Sequence, residues 1–310
     1  CMAALFSGAL TSCNESSFLN LSDPNHFTES NFWKDKADAE SALAAAYSPI
    51  KGAMYGYFSA FDGWLNLNGR GDDIFTIKGE EVPMWNIANF LNSPSTGNDP
   101  YGALYSGIQR ANIVLRYIDQ IPASGITEED RSMIKGEALF LRGYQYFLLV
   151  NNYKEVPLRL IPSNEDETNK GPASEAALWT QVEEDLGNAI KCNLPVERTT
   201  AKERVTKGAA IAMLGKVYAT QHKYPEAKQL LVSLLSAPYS YELVDDFAKN
   251  FTNEEEFNKE SVYEIAYSPD GEYSWSNESG ICLGCYIPQF IGPVKSGGWA
   301  KLMPNSFIVG

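Results

Sequence analysis

Residues 206–238 read TKGAAIAMLGKVYATQHKYPEAKQLLVSLLSAP, and this stretch decides the fold. Thr206 stands where a helix cap belongs, ahead of an apolar run, and the spacing predicts a helix to about Gln221. Pro225 suits the first position of a second helix, where a missing N–H is harmless. That second helix is expected to bury Ala227, Leu230, Leu231 and Leu234. Gly215 and Ala227 are small enough for the two helices to approach closely, and Tyr218 and Leu231 are expected to fill the groove between them.

The same stretch follows the tetratricopeptide pattern at several fixed positions. Ile211 precedes Leu214-Gly215-x2-Tyr218, then Tyr224-x2-Ala227-x3-Leu231, then Pro238. A generic helical hairpin would share the lengths but not these spacings. Upstream, four more helices are expected. The first runs from about Asp35 to Ile50, with a buried stripe of Ala39, Leu43, Ala46 and Ile50. The second runs from about Tyr101 to Ile118, with Leu104, Ile108, Ala111, Leu115 and Ile118 inward. Thr127 opens a third, to about Val150, apolar on most sides and therefore sandwiched. The fourth runs from about Ser174 to Lys191, with Leu178, Val182, Leu186 and Ala189 inward. Residues 51–100 lose the helical period and are rich in Gly, Asn, Asp and aromatics. Residues 240–310 are again loop-rich, with a strand expected over Ser261–Tyr267. Long irregular stretches inside a compact protein are usually functional.

The chain has 310 residues, 44% hydrophobic and 21% charged, a folded composition. Its net charge of −14 repels phosphate backbones, which speaks against nucleic acid as a partner but leaves neutral sugars open. Five cysteines, Cys1, Cys13, Cys192, Cys282 and Cys285, do not form a disulfide framework. Residues 1–12 are uncharged and mostly apolar or small, too short to span a bilayer, and fit part of a secretory signal. Leu10-Thr11-Ser12-Cys13 has the form of a lipobox, so Cys13 is the expected lipidation site and residue 13 the start of the mature domain. No other segment reads as transmembrane.

Catalysis has little to stand on. Asp72 and Asp73 are adjacent in one loop, and no second acidic motif faces them. Glu137 and Arg142 fall on the buried third helix, where bonding to neighbouring helices is the simpler role. Two separated histidines, His26 and His222, make no metal site, and no cofactor motif occurs. Cys282-x2-Cys285 has redox spacing without a strand–helix context. Trp33 and Trp179 fall on helices and read as core. Trp64, Trp85, Trp275 and Trp299 fall in irregular segments, among Asp, Asn and Gly. Flat rings suit the C–H faces of sugars, and short polar side chains suit their hydroxyls. The same tryptophans would equally serve to pin long loops to the helices. The expected ligand set is Trp85, Trp275 and Trp299 for stacking, with Asp72, Asp73, Asn89 and Arg70 for hydroxyls.

Several segments together resemble the SusD/RagB family of outer-membrane nutrient-capture lipoproteins. They are the Cys13 lipobox with Phe18-Leu19-Asn20, then Phe32-Trp33-Lys34-Asp35 leading to Tyr47, and Arg70-Gly71-Asp72-Asp73. Next come Leu104-Tyr105-Ser106-Gly107-Ile108, and Gly136-Glu137-Ala138-Leu139-Phe140-Leu141-Arg142-Gly143-Tyr144 ending in Val156-Pro157-Leu158. Val205-Thr206-Lys207-Gly208-Ala209-Ala210 and Glu260-Ser261-Val262-Tyr263-Glu264-Ile265 complete the order. Leu139, Gly143 and Glu155 depart from the family's usual residues. The resemblance implies a mainly α fold, tetratricopeptide-like helix pairs with loop-rich insertions forming the ligand face. It implies a surface lipoprotein, not an enzyme, that binds an oligosaccharide and delivers it to a SusC-like TonB-dependent transporter. It also implies that residues 13–310 are an incomplete domain whose C-terminal part lies beyond this chain. A tetratricopeptide protein-interaction module is the alternative, and a glycoside hydrolase the more remote one.

Overall fold

The structure is a computed structural model that describes residues 32–51, 58, 68–76, 82–91, 100–268 and 287–304. Residues 1–12, Cys13, Trp64, Trp275, Cys282 and Cys285 lie outside the described residues.

Six helices make the body: α1 (Lys36–Lys51), α3 (Tyr101–Tyr117), α4 (Glu128–Tyr153), α5 (Glu175–Lys191), α6 (Lys207–Thr220) and α7 (Tyr224–Ser233). Their starts are chemical. Asp35 Oδ1 accepts from the backbone N–H of Ala37 at 2.9 Å and of Asp38 at 3.2 Å. The Thr127 hydroxyl accepts from Asp130 N, the Ser174 hydroxyl from Ala177 N, and the Thr206 hydroxyl from Ala209 N. Each satisfies a donor that the first helical turn leaves unpaired. Pro225 sits in the first turn of α7, as expected.

The buried stripes follow the sequence closely. Ala39, Leu43, Ala46 and Ile50 are buried on α1, and Leu178, Val182, Leu186 and Ala189 on α5. On α3, Val114 takes the inward place expected of Leu115, which is half-buried. Helix α4 is buried around most of its circumference because α1, α3 and α5 all pack on it. The helices pack as three pairs, α1 with α3, α4 with α5 and α6 with α7, stacked through α3–α4 and α5–α6. Each pair buries its apolar face on the next, the logic of a repeat array. Two glycines set approach distances. A Cβ at Gly143 would lie 3.1 Å from Asp185 Cβ, and one at Gly215 would lie 2.7 Å from Leu231 Cδ2.

Three expectations change. In α7, Leu230 is half-buried and Leu231 is 38% exposed. Leu231, rather than Ala227, supplies the atoms closest to a Cβ at Gly215, and it covers α6 from the rim of the groove. Residues 261–267 form no strand. They run along the helices, with the Tyr263 ring edge-on to Phe140 at 5.3 Å and the Tyr267 hydroxyl bonded to the carbonyls of Lys51 and Phe58. Their alternating side chains meet helices, and among the described residues no neighbouring edge supplies a ladder. Residues 51–100 contain a short strand, β1 (Ile74–Thr76), and a short helix, α2 (Val82–Ala88), inserted between the members of the first helix pair.

Late in the chain, α8 (Ile287–Ile291) precedes β2 (Leu302–Pro304). The two strands pair antiparallel, Ile74 with Pro304, Phe75 with Met303 and Thr76 with Leu302. Helix α2 packs on β1 and α8 on β2. The insertion and the late segment thus form one small unit beside the helical body.

Candidate functional site

Two places concentrate polar chemistry, and they behave oppositely. The first lies inside the body. Glu137 is fully buried on α4 and accepts from Tyr47 Oη at 2.6 Å, Arg198 Nη2 at 2.7 Å, and Arg204 Nε and Nη2 at 3.0 and 2.8 Å. Arg204 also pairs with Glu40 at 2.8 Å. Burial, reinforced by Glu137, pushes the Tyr47 phenol well above its ordinary range. Arg142 grips Asp185 through two bonds of 2.8 and 2.6 Å and donates to Asn112 Oδ1 at 2.9 Å. Asn112 in turn donates to the carbonyls of Arg159 and Ile161. These carboxylates are saturated by fixed donors, so they join helices and have no capacity left for acid–base work.

The second place is the β1–β2 unit. Arg70, Asp72 and Asp73 are exposed just ahead of β1, in a turn that Gly71 closes through its N–H to Asn68 O at 3.0 Å. Trp299 is 36% exposed and lies edge-on to the fully buried Phe290, centroids 4.8 Å apart. Bonds from Trp299 N to Gln289 O and from Lys301 N to Phe290 O fix that segment against α8. Trp85 is half-buried on α2 rather than in an irregular loop. Asn89 follows α2, and its side-chain amide donates to Trp85 O at 2.7 Å, so it closes the helix end with one side of its amide.

The strand register decides what meets what. The chain enters β1 from Asp73 at the Ile74–Pro304 end, and it enters β2 from Trp299 at the opposite, Thr76–Leu302 end. The acidic turn and Trp299 therefore belong to one unit but to opposite ends of its ladder. The segment leading to α2, with Trp85, leaves from the Trp299 end.

Two aromatic residues that sequence reasoning missed are the most exposed rings among the described residues of this unit, Phe75 at 42% and Phe90 at 74%. Phe90 has a φ of 56°. Its N–H bonds to Ile87 O at 3.1 Å, and that of Leu91 to Asn86 O at 2.7 Å. That pair of bonds is the Schellman ending, whose left-handed residue is usually glycine. A phenylalanine there is strained and faces solvent. Among the described residues, no group of three or more His, Cys, Asp or Glu is placed to hold a metal ion, and no helix is long and apolar enough to cross a membrane.

Comparison with known proteins agrees with this architecture. A family model described as SusD-like, starch-binding associating with outer membrane, matches residues 71–219. A SusD-like protein of Formosa agariphila is 26% identical over 234 residues, covering 74% of this chain and 43% of that protein. A solved SusD superfamily protein from Bacteroides vulgatus superposes with a TM-score of 0.77 at 28% identity, covering 90% of this chain and 57% of that one. A laminarin-binding SusD-like protein superposes with a TM-score of 0.72 at 29% identity, covering 79% and 54% respectively. The chain spans about half the length of these relatives. Ordered motifs, helix pairs and these likenesses agree, and the chain is similar to SusD-like proteins over most of its length.

Proposed function

We propose that the protein binds an oligosaccharide on the β1–β2 unit. The observation that carries this reading is the exposure of Phe75, Phe90 and Trp299 on one small unit that also carries the exposed Arg70, Asp72 and Asp73. Rings left to water lose the stabilisation of burial, and a sugar's C–H face restores it, while the polar groups meet hydroxyls. Trp85, Trp275 and Asn89 complete the proposed ligand set. The likeness to SusD-like proteins supports a binding protein over an enzyme, and the saturated carboxylates of the body agree with that choice. Exposed aromatic rings on the insertion and the late segment favour sugar over the peptide expected of a bare helical groove.

In this reading Cys13 carries the lipid, the protein sits on the outer face of the outer membrane, and its ligand passes to a SusC-like TonB-dependent transporter. The solved relative that binds laminarin makes that glucan the first ligand to try. The test is an affinity panel of polysaccharides, laminarin among them, on the full-length protein and its Trp299→Ala variant. Weaker binding by the variant at an unchanged melting temperature supports the site. Equal binding removes Trp299 from it. Membrane retention of a processed Cys13→Ala variant would overturn the anchor.

A further inference from the structure

A cavity of about 330 Å³ opens on the helical body, where the coil after α7 crosses the loop joining α5 to α6. It shares no residue with the β1–β2 unit, and its volume falls in the range of small-ligand sites. Tyr239, Tyr241, Phe257 and Tyr263 are among its lining residues. Tyr239 and Tyr241 have nearly parallel rings, 11° apart in plane with centroids at 6.1 Å. Tyr241 reaches its place because Gly208 has no side chain, since a Cβ there would lie 2.9 Å from the tyrosine ring. Phe257 lines the cavity with a φ of 54°, strained for a bulky residue. The coil is pinned by Glu242 N to Lys259 O at 3.0 Å and by Phe257 N to Glu264 Oε1 at 2.9 Å.

The polar groups of the cavity are unfinished. The Arg198 side chain is only 10% exposed. Its Nε and Nη2 bond to Val205 O and Glu137, but among the described residues nothing meets Nη1. Lys202 and Glu197 have no partner among the described residues, and Glu264 Oε2 has none either. Glu197 and Lys202 are exposed at the rim and Glu264 is half-buried, so the cavity presents accessible donors and acceptors of both signs to whatever enters it. An anion would face Glu197 and Glu264. A cation would face Arg198 and Lys202. A neutral polyol satisfies both, because each hydroxyl donates and accepts, and its ring can lie on the tyrosines.

We propose that this cavity is a second saccharide site, which takes the end of a short neutral glycan independently of the β1–β2 unit. Saturation-transfer NMR tests it on the full-length protein carrying Trp299→Ala and Phe90→Gly, so that the first site is weakened. The probes are maltotriose, laminaritriose and xylotriose, with glucuronate and lysine as charged controls. At least one trisaccharide should receive transfer, and the controls should not. Adding Lys202→Ala, at an exposed and unpaired residue, should weaken that binding about tenfold. Tyr241→Ala should abolish it, with circular dichroism confirming the fold. The proposal is overturned if no trisaccharide receives transfer, if the charged probes bind as well, or if Lys202→Ala leaves affinity unchanged. Trisaccharide transfer that survives Trp299→Ala and Phe90→Gly supports this site whatever becomes of the first.

Discussion

The helical body and the β1–β2 unit are built to different standards. In the body, Glu137, Arg142 and Asp185 are buried and fully bonded, and Phe140, Tyr146 and Leu141 are essentially inaccessible. In the unit, Phe75, Phe90 and Trp299 stay in contact with water, and Phe90 occupies a backbone conformation that suits glycine. The body breaks local rules at scattered points, such as the unpaired Gln145 Oε1 and the positive φ of Lys154, while the unit gathers its exceptions in a small space. Natural proteins break local rules chiefly where function asks for it. The contrast therefore predicts that changes in the body cost stability, and that changes in the unit cost binding.

The largest expected effect tests the body. Glu137→Ala leaves the buried Arg198 guanidinium without its counter-charge and Arg204 with Glu40 alone. Breaking such a cluster costs about 3–5 kcal/mol. Urea unfolding should show this, while glycan affinity of the remaining folded protein should hold. A loss below about 1 kcal/mol would mean that water already reaches the cluster, and the contrast between the two regions would weaken.

Alkali probes the body through its phenols. Burial pushes the Tyr47, Tyr146 and Tyr263 hydroxyls well above the ordinary tyrosine range, with Glu137 adding to Tyr47. In the unfolded chain these phenols release protons near pH 10, while the folded protein holds them. The unfolded state then binds fewer protons, so stability is full below about pH 10 and falls as pH rises. The slope is about 1.4 kcal/mol per pH unit for each ring. Phenolate absorbance should rise late and together with unfolding. An early, independent rise would place these rings in water.

Gly215→Leu comes next. The added side chain runs into Leu231, whose Cδ2 lies 2.7 Å from an added Cβ, and overpacking of this kind costs about 1–3 kcal/mol. Because Leu231 is 38% exposed, it can swing outward for a single methyl, so Gly215→Ala should cost less. Thermal melts of both variants rank the two. Equal melting temperatures would show that α6 and α7 are loosely joined.

The same contrast explains what could be read from the residues. The helical stripes and the caps at Thr127 and Thr206 were legible because helix periodicity and capping are local physics. The expected strand over 261–267 failed on a non-local fact. Val262, Tyr263, Ile265 and Tyr267 are apolar residues spaced as in a strand, but helices, not a strand edge, receive them. Helix α2 was missed because seven residues, VPMWNIA, hold too few turns to show a period. The pairing of β1 with β2 joins segments at opposite ends of the chain, and nothing in either three-residue strand names its partner. Phe90 escaped notice because the left-handed helix ending is sought through glycine or asparagine.

Phe90→Gly separates the two regions with the smallest change in stability. Glycine adopts the observed φ of 56° without strain, so the variant relieves a cost of about 1 kcal/mol in the folded state. Its greater freedom in the unfolded chain takes back part of that gain. The ring is 74% exposed, so little packing is lost. Melting temperature should therefore stay level or rise slightly. Glycan affinity should fall by about 1–3 kcal/mol if the ring is a stacking platform, by analogy with bases stacked on aromatic side chains. Phe90→Tyr keeps both the ring and the strain, and should retain affinity. A drop in melting temperature for Phe90→Gly would mean that the ring is packed in solution. Unchanged affinity would mean that the strain serves something other than the ligand. Either result would move the unit closer in character to the helical body.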